Sequence, residues 1–358
     1  MKNAKESGNN RINYFDIAKG IGIILVIIGH IEYVPAPIRF YIVTFHMPLF
    51  FVVSGMLMNL TGEKNRGMKS LIIKKLKRIM LPYLIFSILY PIIDFLYYFV
   101  TGNGDPYGTL GTNISDTLML YGYSVLWFLP TAFFGEVIFL LIIKGCMKVN
   151  EKYSGQLAFV ISFGLSIAMF FLLGNNGNHF IQSFVRFFIA AFLIAAGNMI
   201  YLLLNRKQIK TPLKIIAAML FLVILLLVHG RNGIVDMHFA VYGNIFMFYL
   251  DALLGSMGVI LISMSMENIS GLFLCRILIF YGINSLFVMI THINFYVLYF
   301  SEVFSFKVVE YVPHAKSAVF NIMTVCCVLI AEFVMIKIYN LFRQMFLMRN
   351  KKLHNNEA

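Results

Sequence analysis

The stretch Phe15-Asp16-Ile17-Ala18-Lys19-Gly20-Ile21-Gly22-Ile23-Ile24-Leu25-Val26-Ile27-Ile28-Gly29-His30 is apolar enough to enter a bilayer, yet it carries Lys19 and His30. Ionisable residues in a membrane helix face a partner, a cavity or a solute path, and they mark function. At roughly 100° and 1.5 Å per residue, the step from Lys19 to His30 is about three turns and about 16 Å, so both lie on one face. That face offers a cation near one membrane border and an imidazole near the other.

The rest of the chain agrees with a membrane reading. Of its 358 residues 60% are hydrophobic and 13% charged, and the mean hydropathy is +0.81, whereas soluble domains are about 45–50% apolar and about 25% charged. Apolar runs long enough to span lie at 15–34, 39–60, 80–100, 121–143, 155–173, 181–204, 213–229, 240–262, 277–300 and 317–342. The fold class is therefore all-α: a polytopic integral membrane bundle of about ten transmembrane helices. Residues 15–342 form its membrane domain, with tails at 1–14 and 343–358.

The formal net charge of +13 would suit a nucleic-acid partner if it were clustered at random, but its placement gives orientation instead. Lys2, Lys5 and Arg11, the run from Lys64 to Arg78, Lys144, Lys148 and Lys152, Arg206, Lys207, Lys210 and Lys214, Arg276, and Arg343 to Lys352 all fall on one side of a ten-span chain. Cytoplasmic loops carry such an excess, so both termini are expected to be cytoplasmic. The polar N-terminus has no small-residue cleavage site behind its first apolar run, and the first helix is expected to remain. Cys146, Cys275, Cys326 and Cys327 have no metal-ligand spacing, and they read as reduced packing residues with neither disulfide nor structural metal.

The remaining embedded polar residues outline a site. His30 and His46 flank the short Pro35-Ala36-Pro37 turn at similar depth, and His292 follows Ser285 by seven residues on one face. Glu136 is mid-depth, Asp94 lies toward one end of its helix, Asp251 follows Asn244 by seven, and Arg186 shares a face with Gln182. Interhelical hydrogen bonding accounts well for His46, Asp94, Arg186, Asp251 and Glu332 taken singly. Ser54 is best explained by the close packing of its neighbour Gly55, while His179, His229 and His238, at loops or helix ends, read as solvated.

Several strings carry a resemblance: Asp16-Ile17-Ala18-Lys19-Gly20 leading to Gly29-His30, and Phe45-His46-Met47-Pro48-Leu49-Phe50-Phe51 ending in Ser54-Gly55. So do Lys74-Lys75-Leu76-Lys77-Arg78 before Leu81-Pro82-Tyr83, Leu126-Trp127-Phe128-Leu129 with Glu136, and Gly282-Ile283-Asn284-Ser285-Leu286 with His292. Together they resemble the acyltransferase 3 family of membrane acyltransferases, in particular its fucose 4-O-acetylase-like branch. The resemblance implies an O-acyltransferase in the plasma membrane. Its donor is acyl-CoA, acetyl-CoA by preference, used as a substrate with no bound cofactor and no metal. Its acceptor is a sugar, lipid-linked sugar or polysaccharide. The family's Arg followed eleven residues later by His is here Lys19 and His30, and its Arg-x-x-Arg is Lys75 and Arg78. Lysine keeps the charge but loses the bidentate fork. Many relatives append a hydrolase-like domain; none is recognised here, so the expectation is direct modification of the acceptor or a separate partner.

In that frame His30 is the candidate general base, or the covalent acyl carrier, with His46 and Glu136 as candidate partners. Lys74, Lys75 and Arg78 are candidates for the CoA phosphates, with Lys19 between them and His30. Lys74 and Lys77 are equally placed to meet anionic lipid. Trp127, Arg186, Asp251, Ser285 and His292 are candidates for acceptor binding or support. A transporter or flippase, or a scaffold in glycan export, would also use intramembrane Lys19, Glu136, Asp251 and Arg186. The matching broken helices of an inverted repeat that transport predicts are not found in the sequence. Abundant Lys, Asn and Ile point to an AT-rich bacterial genome.

Overall fold

A helix satisfies its own backbone within one segment, so the apolar runs, which have no water to bond to, fold as helices. In chain order these are α1 (Asn13–His30), α2 (Ala36–Val43), α3 (His46–Leu60), α4 (Met68–Lys75), α5 (Leu81–Thr101), α6 (Pro106–Leu118), α7 (Phe128–Val149) and α8 (Ser154–Leu173). They continue as α9 (His179–Leu204), α10 (Thr211–Val228), α11 (Ile245–Met266), α12 (Phe273–Ile283), α13 (Ser285–Asn294), α14 (Val297–Val309) and α15 (Lys316–Asn356). The computed structural model describes residues 12–174, 176–205, 209–310 and 316–356. Lys2, Lys5, Arg11, Arg206 and Lys207 lie outside the described residues. Among those described, nine helices are long and apolar enough to cross a membrane, and α12 with α13 makes a tenth, broken span.

Among the departures from the sequence reading, two have a clear local reason. The third span begins at Met68, not near residue 80, because the basic run is itself helical. Leu76–Met80 form a π turn, and the Leu81 N–H reaches back to the Leu76 carbonyl. Pro82 has no N–H for the Arg78 carbonyl and its ring crowds that group, so the helix widens just before it. The ninth span is broken by 76° between α12 and α13. There the Asn284 side-chain amide donates to the Phe280 carbonyl at 2.8 Å, competing with the backbone for its acceptor.

Two pairs of glycines bring the site-bearing helices together. A methyl at Gly20 would overlap the Leu278 carbonyl, and one at Gly282 would overlap that of Asp16, so α1 and α12 cross backbone to backbone. Gly55 against Ile194 and Gly197 against Val52 do the same for α3 and α9. Small residues at such crossings are how membrane helices gain packing contacts without a hydrophobic drive. Between α3, α4 and α7, Lys144 donates to the carbonyls of Lys64 (2.8 Å) and Arg66 (2.5 Å). This gathers one basic end of the bundle. Helices α5 and α10 cover the flanks with exposed apolar side chains such as Ile88, Phe99 and Leu227, as a lipid-facing surface requires.

Candidate functional site

Two cavities lie along α1, one at each end. The first, of about 460 Å³, is lined by His30, His46, Trp127, Arg39, Asp236 and His238 among others. The second, of about 250 Å³, is lined by Lys19, Ser54, Lys74, Lys75, Arg78, Glu136 and Ser285 with apolar neighbours. Ser285 lines the second cavity, Met289 lines both and Ile293 lines the first. These three residues, four apart, form one face of α13, which runs as a common wall from the basic cavity to the histidine cavity.

In the histidine cavity the fold decides what the imidazoles can do. The Nδ1 atom of His30 lies 2.8 Å from the Val26 carbonyl, that of His46 2.9 Å from Ile42, and that of His292 2.8 Å from Val288. A carbonyl only accepts, so in each ring Nδ1 carries the proton and Nε2 keeps a lone pair. His30 sits deep among the helices, yet its ring is exposed to the cavity. His292 meets it edge-on, with centroids 5.2 Å apart. His46 and His292 are buried. The sequence reading that paired His30 with His46 across a short turn thus corresponds to two rings lining one cavity, while His292 packs on His30 without lining it.

The basic cavity is organised by Lys75, which faces inward while Lys74, Lys77 and Arg78 are exposed. Its Nζ lies 2.7 Å from carboxylate oxygens of both Glu63 and Glu136. The Ser54 hydroxyl donates to the other oxygen of Glu136. Glu136 therefore stands with Ser54 and Lys75 and not beside His30. Lys19 bonds Asp16 at 2.8 Å, one turn back on α1. Gly55 does make the close contact its sequence suggests, but Ser54 has a polar partner as well.

Arg186 is fully buried on α9. Its guanidinium donates to the His238 carbonyl (2.5 Å), the Tyr121 carbonyl (2.8 Å) and the Ser183 hydroxyl (3.1 Å), and stands over the rings of Tyr121 (4.6 Å) and Trp127 (5.5 Å). It fastens the start of the fourth span to the loop between α10 and α11. Asp251, buried in α11, lines neither cavity; among the described residues both its oxygens lack a hydrogen-bond partner. The structure does not bring it to the others.

Three histidines read as solvated are part-buried and have protein partners. His179 bonds Asp116 at 2.8 Å and stacks on Tyr121 at 3.9 Å, His229 packs edge-on against Tyr41, and His238 walls the cavity. Burial and the Arg186 charge hold the His238 ring down to about 3, so it is neutral at ordinary pH. The available signal was the string Ile234-Val235-Asp236-Met237-His238-Phe239-Ala240-Val241, too apolar for a solvated turn. Glu63 and Arg39 were also missed as site residues, since Glu63 sits in a polar connection and Arg39 at the border of an apolar run. Among the described residues no group of three or more His, Cys, Asp or Glu side chains is arranged to hold a metal ion.

Residues 12–333 match the sequence profile of a family described as an acyltransferase domain, the acyltransferase 3 family. No curated protein and no solved structure shows a significant match.

Proposed function

The chain belongs to the acyltransferase 3 family, and on that premise we propose that it is a plasma-membrane O-acyltransferase. It moves an acyl group, acetyl by preference, from cytoplasmic acyl-CoA to a hydroxyl of a sugar or cell-surface polysaccharide, as in the fucose 4-O-acetylase-like branch. The observation that carries the reading is the pair of cavities sharing one wall of α13. One has exposed cations at its rim; the other holds imidazoles with free Nε2 lone pairs.

By the positive-inside bias the basic end faces the cytoplasm and both termini lie there. Lys74 and Arg78, exposed at the basic cavity, take the CoA phosphates. Lys75, already held by two carboxylates, keeps Glu136 and Ser54 in place. The pantetheine arm passes Lys19 and follows the α13 wall to the histidine cavity. There His30 Nε2 takes the proton of the acceptor hydroxyl as its oxygen attacks the thioester carbonyl. The carbon–sulfur bond breaks, an ester forms, and the proton passes from His30 to the CoA sulfur. Arg39, the cation lining the same cavity, supplies positive charge for the oxyanion. Transport would use the same embedded charges, but among the described residues there is one bent helix pair, not the two that an inverted repeat supplies.

The test is His30→Ala in purified protein supplied with labelled acetyl-CoA. We expect unchanged binding and a loss of acetyl consumption of about 10²–10⁴-fold, the range for removing a general base. A variant that consumes acetyl-CoA at the wild-type rate, or a wild-type protein that binds no acyl-CoA, overturns the reading.

A further inference from the structure

The segment between α10 and α11 folds back on itself. Asp236 and Val241 exchange backbone hydrogen bonds of 2.8 Å in each direction, closing a hairpin tip. The Asp236 carboxylate accepts from the N–H groups of His238 (2.9 Å) and Phe239 (3.4 Å), and Val235, Met237, Ala240 and Tyr242 are buried. Arg186 clamps the tip through the His238 carbonyl. A connection built and anchored in this way, inside the mouth of a cavity, is positioned for recognition.

The His238 imidazole lies parallel to the Trp127 indole, with planes 12° apart and centroids at 6.1 Å. Gripping a ring between two faces needs two van der Waals contacts, about 7 Å, so the pair is no slot. Both rings line the cavity, so each brings aromatic surface to it. Aromatic surface of this kind takes the C–H face of a saturated ring. A neutral imidazole can both donate and accept, which suits a hydroxyl. A long-chain alcohol fits poorly, because it would leave unsatisfied the His238 Nε2 atom, which is buried with no hydrogen-bond partner of its own among the described residues.

We propose that the 229–244 loop is the acceptor-recognition element of this protein, in which His238 and Trp127 hold a hydroxylated ring and His238 selects the hydroxyl presented to His30. The assignment of the presented hydroxyl to acyl transfer rests on the function proposed above; the ring-binding subsite itself does not. His238 is then a specificity-determining residue, and Arg186, acting through the loop carbonyl and the Trp127 face, is a positioning residue.

Trp127 is the single tryptophan of the chain, so its emission reports on this cavity alone. Full-length protein in detergent is titrated with the methyl glycosides of N-acetylglucosamine, galactose and fucose, with 1,2-propanediol as an acyclic control, and acetyl-CoA binding is measured on the same samples. We expect a saturable change with at least one glycoside and none with the diol. His238→Ala weakens half-saturation by about tenfold, the loss of one hydrogen bond together with ring contact. His238→Asn, which keeps a polar group, recovers part of it, and carries the test if the alanine variant fails to fold. The proposal is overturned if no glycoside gives a saturable change, or if the His238 variants titrate like wild type. Acetyl-CoA binding retained in that case leaves the acyltransferase reading standing without this subsite. Glycoside binding with no binding of acetyl-CoA would retain the subsite and remove the transfer reading.

Discussion

Lys75 shows how far a single side chain can depart from what its neighbours suggest. Its ammonium is buried between Glu63 and Glu136, both within 2.7 Å, so removing it leaves two enclosed carboxylates without their shared counter-ion. Breaking a buried pair this way costs about 3–5 kcal/mol. We therefore expect Lys75→Met to lower the thermal stability of detergent-solubilised protein by about that amount, with Lys75→Met/Glu136→Gln regaining part of the loss. An additive cycle of these changes would show that Lys75 and Glu136 are not coupled. In the sequence Lys75 is one of four cations in Lys74-Lys75-Leu76-Lys77-Arg78. What singles it out is the helical phase set across the π turn together with Glu63, whose place is fixed by a fold and not by spacing. His30 was legible for the opposite reason: eleven residues of one uninterrupted helix carry its relation to Lys19, and a helix's geometry follows from its own sequence.

Among the helices, legibility follows the thickness of the bilayer. Spans were readable because each must cross the same apolar slab, whereas the kink at Asn284 was not, since residues 277–300 are apolar on both sides of it. Helix α6 escaped notice because it is polar and rich in Gly and Thr; Asp105 starts it by accepting from the Gly108 N–H at 3.0 Å. The crossings of α1 with α12 and of α3 with α9 were hidden as well, although the glycines that permit them were in view. They make a sharp prediction. Gly282→Ala and Gly55→Ala place a methyl on a facing carbonyl and should destabilise by about 1–3 kcal/mol, as overpacking does. Gly164→Ala on α8, with open space around it, should stabilise by up to about 1 kcal/mol through helix propensity. Thermal unfolding of the three variants side by side checks this, and equal shifts at all three sites would mean that the crossings are looser than described.

At the scale of the whole molecule, the arrangement to be explained is two chambers that share Met289 as a lining residue. Consecutive residues face opposite chambers, Trp127 the histidine cavity and Phe128 the basic one. Phe128 closes on Phe50 and Phe51 with ring centroids 5.8 and 5.2 Å away, which leaves Met289 as a residue that touches both spaces. Methionine is unbranched and deformable, so the thin pantetheine arm of the proposed donor would displace it while the aromatic neighbours stay fixed. A bulky, stiff side chain there would block the arm without touching the exposed cations proposed to hold the other end of the donor. Met289→Trp should therefore bind acetyl-CoA within about twofold of wild type and transfer acetyl about tenfold more slowly or worse, a loss in the reacting step and not in binding. Met289→Leu, of nearly equal volume, should transfer at close to the wild-type rate. If Met289→Trp lost donor binding and transfer together, the donor would already pass Met289 in its resting complex. If it transferred normally, the acyl group would reach the histidine cavity by a route that does not follow the α13 wall.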